Sequence, residues 1–200
     1  MNEECDNTTN KGARTGLYRP KLSFYHPNAK GTGCALSMEL HPAHDQTDGS
    51  IMAQFANQKT IGNRNAANPT FSRFDWENSI CVKLDFTDLT KMLQVFRSEC
   101  ESLEDGKGLY HISPRATTRI VLRHVLEPLS GYSLEVYRNS GGPADGTSAR
   151  IFLAPNEASG LAAAVENSLG VICFGIPTVV PHDTTAYRRE VKGMRNVSAA

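Results

Sequence analysis

The sequence contains no apolar run near the roughly 18 residues that a membrane-crossing helix requires. Neither sign of charge prevails, since 21 basic and 21 acidic side chains cancel. A strongly basic nucleic-acid coat is thereby excluded, and any electrostatic site must come from local arrangement. Cysteine is sparse: five thiols (Cys5, Cys34, Cys81, Cys100, Cys173), far apart and with no Cys-x-x-Cys pair. That spacing predicts reduced thiols in a cytosol-like compartment rather than a disulfide framework. The chain also lacks a glycine-rich phosphate loop, a Gly-x-Ser-x-Gly elbow and a His-Glu-x-x-His helix. Its first six residues carry three acids, Glu3, Glu4 and Asp6, with no apolar segment behind them. Neither a secretory signal nor an Arg-rich transit peptide is expected, and the predicted location is cytoplasmic. Outside secretion, the sequons Asn7-Thr8-Thr9 and Asn196-Val197-Ser198 carry little meaning.

What is present is ordinary globular material. Two hundred residues with 40% hydrophobic and 21% charged side chains can bury a sizeable core without staples. Residues 1–20 are polar and aperiodic and read as a flexible arm. Residues 177–200 read as a flexible tail with a basic cluster at Arg188, Arg189, Lys192 and Arg195.

Between these arms the pattern is that of strands. Lys21 to His26 alternates and stops at Pro27-Asn28. From Cys34 to His41, the residues Cys34, Leu36, Met38 and Leu40 share one face. Ile51 to Asn57 alternates again, with Ile51, Ala53 and Phe55 together. A long polar loop over 58–72 follows, then a strand over 79–86, where Cys81 is expected to point inward like Cys34. The period then changes: Leu89, Met92, Leu93 and Phe96 fall at helical spacing, with Thr87 as the expected N-cap. An acidic stretch over 99–105 closes this helix and is expected to be solvated. After Gly106 the order repeats: strands over 108–113, 117–126, 131–138 and 148–153. A helix opened by Pro155 follows, with Leu161, Val165, Leu169 and Ile172 on one face. The expected fold is α+β, a duplicated ββββα with two four-stranded antiparallel sheets and trailing helices. The halves span 21–105 and 106–176.

Candidate chemistry is sparse except for one class. His41-Pro42-Ala43-His44-Asp45 offers two imidazoles and a carboxylate, but it sits in a predicted turn without a fourth ligand at a familiar spacing. An ordinary polar turn is the simpler reading, so no metal or other cofactor is expected. No cysteine neighbours a histidine in a nucleophile arrangement, and no catalytic residue is assigned. A surface for nucleic acid instead needs cations interleaved with aromatic rings. Lys21, Tyr25, His26 and Lys30 cluster at the first strand and its turn. Gln54, Phe55, Lys59, Arg73 and Trp76 surround the long loop, with Arg64 inside it. Arg119 and Arg123 share a face of their strand, and Tyr132, Tyr137 and Arg138 lie on the next. Charge is segregated accordingly. Residues 21–74 hold five basic and three acidic side chains, residues 107–153 six and three, and residues 75–105 three and eight. The plainer alternative is that each ring belongs to the core and each arginine caps a sheet.

The ordered set of segments resembles the Whirly family of single-stranded-DNA-binding proteins, whose fold is shared by PC4-like coactivators. The resemblance rests on Gly33-Cys34-Ala35-Leu36-Ser37-Met38-Glu39, Met52-Ala53-Gln54-Phe55-Ala56, Phe74-Asp75-Trp76-Glu77 and Val82 to Leu89. It continues through Glu127-Pro128-Leu129-Ser130-Gly131-Tyr132-Ser133-Leu134 and the closing stretch from Asn156 to Gly175. It covers residues 21–175. The resemblance implies a non-catalytic binder of single-stranded DNA, with RNA possible because trypanosome mitochondrial RNA-binding proteins share the fold. It further implies little sequence preference, homotetrameric assembly and a role in transcription regulation. One departure stands out. The family's second strand opens Lys-Gly-Lys-Ala-Ala-Leu, whereas this chain reads Gly31-Thr32-Gly33-Cys34-Ala35-Leu36, leaving only Lys30 to substitute. The rival expectation is therefore a structural or assembly protein that keeps the fold without binding nucleic acid.

Overall fold

A computed structural model describes residues 21–44, 47–141 and 146–176. The N-terminal arm, the basic tail and Asp45 lie outside them. Strands β1 (Lys21–His26), β2 (Cys34–His41) and β3 (Ser50–Thr60) run antiparallel in sequence order. The far edge of β3 is shared by two strands. β5 (Ile80–Leu84) pairs with Ile51–Phe55, and the two-residue β4 (Arg73–Phe74) pairs beyond a bulge at Gln58 and Thr60. The expected fourth strand is thus interrupted, and the first sheet has five strands. Helix α1 (Phe86–Phe96) closes this half. A 3-10 turn at Leu103–Gly106 leads to β6 (Leu109–Ile112), β7 (Thr117–Val125), β8 (Gly131–Asn139) and β9 (Gly146–Leu153). These four pair in sequence order, and α2 (Pro155–Phe174) follows. The observed architecture is the expected α+β duplication, with two antiparallel sheets and two trailing helices.

Alternation explains which faces are buried. On β2, β3 and β5 the side chains Leu36, Met38, Ala53, Phe55, Val82 and Leu84 turn inward and meet Met92 of α1 and Ile120 and Leu134 of the second sheet. Both halves therefore share one core. Helix α1 begins two residues earlier than expected. The N-cap is Asp85 rather than Thr87, and its carboxylate accepts from the Asp88 backbone N–H while the Asp88 carboxylate accepts from that of Asp85. A reciprocal box satisfies two orphan amides, which a lone threonine cannot do. Leu89 of α1 is fully buried, so truncating it to alanine should cost roughly 2–5 kcal/mol. Pro155 opens α2 as expected, and Ala158, Leu161, Val165 and Ile172 bury its inner face.

The cysteines depart from expectation. Cys34 is buried, and burial pushes its thiol up to about 11, so it is no nucleophile at neutral pH. Cys81 does not point inward. Ile80, Val82 and Leu84 take the core side of β5, which leaves Cys81 half-buried on the opposite face. Moreover Cys81 is disulfide-bonded, while Cys34, Cys100 and Cys173 are free. The prediction of uniformly reduced thiols fails because sequence spacing says nothing about which thiols meet in space. The acidic stretch is solvated as expected: Glu99, Glu101, Glu104 and Asp105 are exposed, while Leu103 among them is buried and Glu104 pairs with Lys91 at 2.6 Å. No helix of the described residues is long and apolar enough to cross a membrane.

Candidate nucleic-acid interface

The first sheet carries an open cleft of about 890 Å³. One wall is the β1–β2 turn at Pro27, Asn28 and Ala29. The other is the polar loop between β3 and β4, through Ile61, Arg64, Phe71 and Ser72. Tyr25, Phe74 and Trp76 are also in its lining, and they touch one another. The Tyr25 ring lies 5.8 Å from that of Phe74 and 6.3 Å from that of Trp76, edge to face with the latter. The strand register explains the meeting. Tyr25 stands opposite Ala35, which stands opposite Ala56, so small residues leave room beside the tyrosine ring. Tyr25 is 57% exposed and Phe71 75%, so both rings offer open faces at the cleft.

Two arginines, Arg64 and Arg73, line the same cleft, and neither makes an ion pair with the described residues. The Lys30 ammonium at the turn is likewise unpaired among them, although its backbone N–H donates to Asn28 Oδ1. Unpaired guanidinium groups beside exposed rings are the combination that tracks phosphates while bases stack. Below the cleft, Gln54 is half-buried and supports it. Its Nε2 donates to Ser79 Oγ at 2.7 Å, and that hydroxyl donates to the Trp76 carbonyl.

Other predicted contacts are placed differently. Phe55 is 2% exposed in the shared core, so it is withdrawn as a stacking surface; its parity on β3 puts it with Ile51 and Ala53. Lys21 pairs with Glu39 at 2.8 Å, directly across the β1–β2 ladder. His26 Nε2 lies 2.9 Å from Glu157 of α2, which ties the end of β1 to the second half. Lys59 sits between Asp75 at 3.7 Å and Glu77 at 3.8 Å. The Asn78 amide and the Lys59 ammonium hold the Asp75 carboxyl below its ordinary value. His41 Nε2 lies 3.2 Å from Glu39, so the imidazole of the predicted turn faces a carboxylate on its own strand.

In the second sheet Arg119 and Arg123 are engaged internally. Arg119 donates to the Lys107 carbonyl at 2.6 Å and the Gly106 carbonyl at 3.0 Å, with its guanidinium 5.8 Å from the Tyr110 ring centre. Arg123 reaches Glu135 at 2.6 Å. Burial pushes the Glu135 carboxyl up, but hydrogen bonds from Tyr137, Arg123 and Ser133 outweigh it, and the net value is lowered. Arg119, Tyr137 and Arg138 line a shallower depression of about 270 Å³ at the strand ends. Tyr132 is buried against Phe96, its hydroxyl donating to the Phe96 carbonyl. The site residues that sequence reasoning missed are Ile61, Phe71 and Phe74. Phe71 and Phe74 flank Arg73 at the end of the loop, and an aromatic–basic–polar cluster there was the available signal.

Two sheets of this order, each trailed by a helix, with the open cleft on the first, define a Whirly-like fold. Solved structures agree. WHY3 from Arabidopsis thaliana superposes with a TM-score of 0.63 at 15% identity, over 90% of this chain and 99% of that one. The plant transcriptional regulator PBF-2 gives 0.60 at 15% identity, over 90% of each chain. A guide-RNA-binding protein complex bound to its RNA gives 0.50 at 14% identity, over 79% of this chain and 94% of that one. No protein-family model and no curated protein matches the sequence.

Proposed function

We propose that the protein binds single-stranded nucleic acid, DNA in preference to RNA, with little sequence preference and without catalysis. One observation carries this reading: the exposed rings of Tyr25 and Phe71 share a cleft with Trp76 and with two arginines, Arg64 and Arg73, that make no ion pair among the described residues. Stacking on such rings tolerates any base, because every base has a π-face, and contributes roughly 1–3 kcal/mol per base. The arginines supply phosphate contacts without a field from the whole protein, in keeping with zero net charge. The structural neighbours support it as well, since one is a transcriptional regulator and another is a guide-RNA binder.

Assembly into a homo-oligomer, a tetramer by the family resemblance, belongs to the same reading. Phe174 and Ile176 at the end of α2 are 89% and 59% exposed. Leu169 packs against the protomer's own core, so a charge there should unfold the chain before it dissociates subunits. Light scattering at micromolar concentration should give a mass well above the 21.9 kDa of one chain. The function is tested by titrating labelled single-stranded DNA, duplex DNA and RNA of one sequence at two salt concentrations. Tightest binding of single-stranded DNA, weakening with salt, is expected. Absent binding of single strands at low salt sinks the proposal and leaves a structural or assembly role.

A further inference from the structure

The two walls of the cleft come from separate stretches of chain, and one buried side chain joins them. Gln58 sits at the bulge of β3 and is 8% exposed. Its Oε1 accepts from the Asn28 N–H at 2.8 Å and the Gly33 N–H at 3.1 Å. Its Nε2 donates to the Asn28 carbonyl at 3.1 Å and the Thr60 carbonyl at 3.1 Å. Ser72 Oγ lies at 3.5 Å from the same nitrogen and accepts from the Gly62 N–H at 3.0 Å. One amide thus grips both backbone groups of Asn28, in the turn wall, and reaches Thr60 and Ser72 at the root of the loop wall. Gly33 is fitted to it: a Cβ there would run into Gln58 Oε1 and the His26 carbonyl.

We propose that Gln58 is a positioning residue that fixes the separation of the cleft walls and so sets affinity for a ligand it does not touch. The inference rests on the functional reading above and names how that site is held in shape. Only a primary amide meets the requirement, because the site offers two backbone donors on one side and two carbonyl acceptors on the other. A carboxylate is acceptor-only, so in this place it would face the carbonyls of Asn28 and Thr60 without a proton to give. Buried polar groups left unpaired in this way drive local rearrangement, which here means moving the turn away from the loop.

The substitution Gln58→Glu tests this, with a thymidine 20-mer as probe and the parent measured beside it at each pH. At about pH 8 the variant should bind about tenfold more weakly than the parent. The slope of log affinity against log salt should be unchanged, because no phosphate contact is lost. As pH falls to about 5 the new carboxyl, facing two carbonyls, takes up a proton and regains a donor, so the deficit should shrink. Emission of Trp76, the one tryptophan of the chain, should shift in the unliganded variant at the higher pH and return at the lower. Relative affinity within about twofold of the parent at about pH 8, or a deficit that persists unchanged to low pH, overturns the proposal. Should Gln58→Glu fail to fold, Ser72→Ala provides the second reading: the same direction of effect, about twofold to fivefold, with melting unchanged. Parental affinity in that variant overturns the proposal equally. Failure of the parent itself to bind the 20-mer sinks the functional reading instead, and the Trp76 emission comparison then still decides whether Gln58 sets the cleft.

Discussion

Tyr25 and Trp76 meet edge to face, their ring centres 6.3 Å apart and their planes at 79°. One comes from the outer strand of the first sheet and the other from the turn that precedes β5. The pairing of β1 with β2, of β2 with β3 and of β3 with β5 brings them together. Their contact makes an aromatic corner with one ring, Tyr25, still open to a ligand.

Truncating that ring should remove stacking and leave charge untouched. Tyr25→Ala is expected to weaken binding of a single-stranded oligonucleotide by roughly 1–3 kcal/mol, with little change in the salt dependence. Phe71→Ala should act in the same direction, and because Phe71 is 75% exposed its melting temperature should stay at the parental value. Fluorescence titration at two salt concentrations, with a thermal melt beside it, measures all of this. Parental affinity in both variants would place the ligand elsewhere.

Arginines of the two sheets should behave differently. Arg73→Ala removes from the cleft a cation with no ion pair among the described residues, so the slope of log affinity against log salt should flatten by about 0.7 while stability is kept. Arg123→Ala instead strips a partner from Glu135, whose side chain is only 7% exposed. It should cost roughly 1–3 kcal/mol of stability and leave the salt slope nearly parental. The pair of variants is compared by salt titration and denaturant unfolding. A flattened slope in Arg123→Ala with stability intact would reverse the assignment.

Phe55→Ala should be a folding variant. The ring is in the core shared by both sheets, and truncation of such a residue costs roughly 3–5 kcal/mol. Urea unfolding should show a lower midpoint, and binding per folded molecule should be near parental. A stable Phe55→Ala protein with weakened binding would restore the ring to the ligand surface.

The contact of His111 with Asp88 should give stability a pH dependence. His111 Nε2 lies 2.9 Å from Asp88 Oδ2, joining β6 to the capping box of α1. The hydrogen bond to Asp88 raises the His111 value above 6.5, against an opposing effect of burial. A raised folded value means that the stabilisation is fully present below about pH 6.5 and fades as pH rises through the folded value. Melting temperatures across that range should fall for the parent and stay flatter for His111→Gln. Equal slopes for the two would remove His111 as the cause.

The division between what was legible and what was not follows the range of the physics. Alternation and helical spacing are local, so the limits of β1 and β2, the start of α2 at Pro155 and the inward set Leu36, Met38, Ala53 and Phe55 could be read from residue order. The same parity already placed Phe55 in the core, although the aromatic-and-cation reading also wanted it outside. The capping of α1 was legible in principle, since Asp85 and Asp88 stand three apart, but Thr87 offered a competing cap. Sequence alone also marked Tyr25, Arg73 and Trp76 as chemistry without saying that they share a cleft. Their meeting depends on strand register and on a bulge that no local pattern specifies. Whether an arginine is free or engaged was decided entirely by tertiary structure. Arg73 and Arg123 are alike in sequence, but only Arg123 has a buried carboxylate across the ladder to satisfy. Hydrogen bonding and ion pairing act over a few ångströms between segments far apart in the chain, so they appear only once the sheets have closed on their common core.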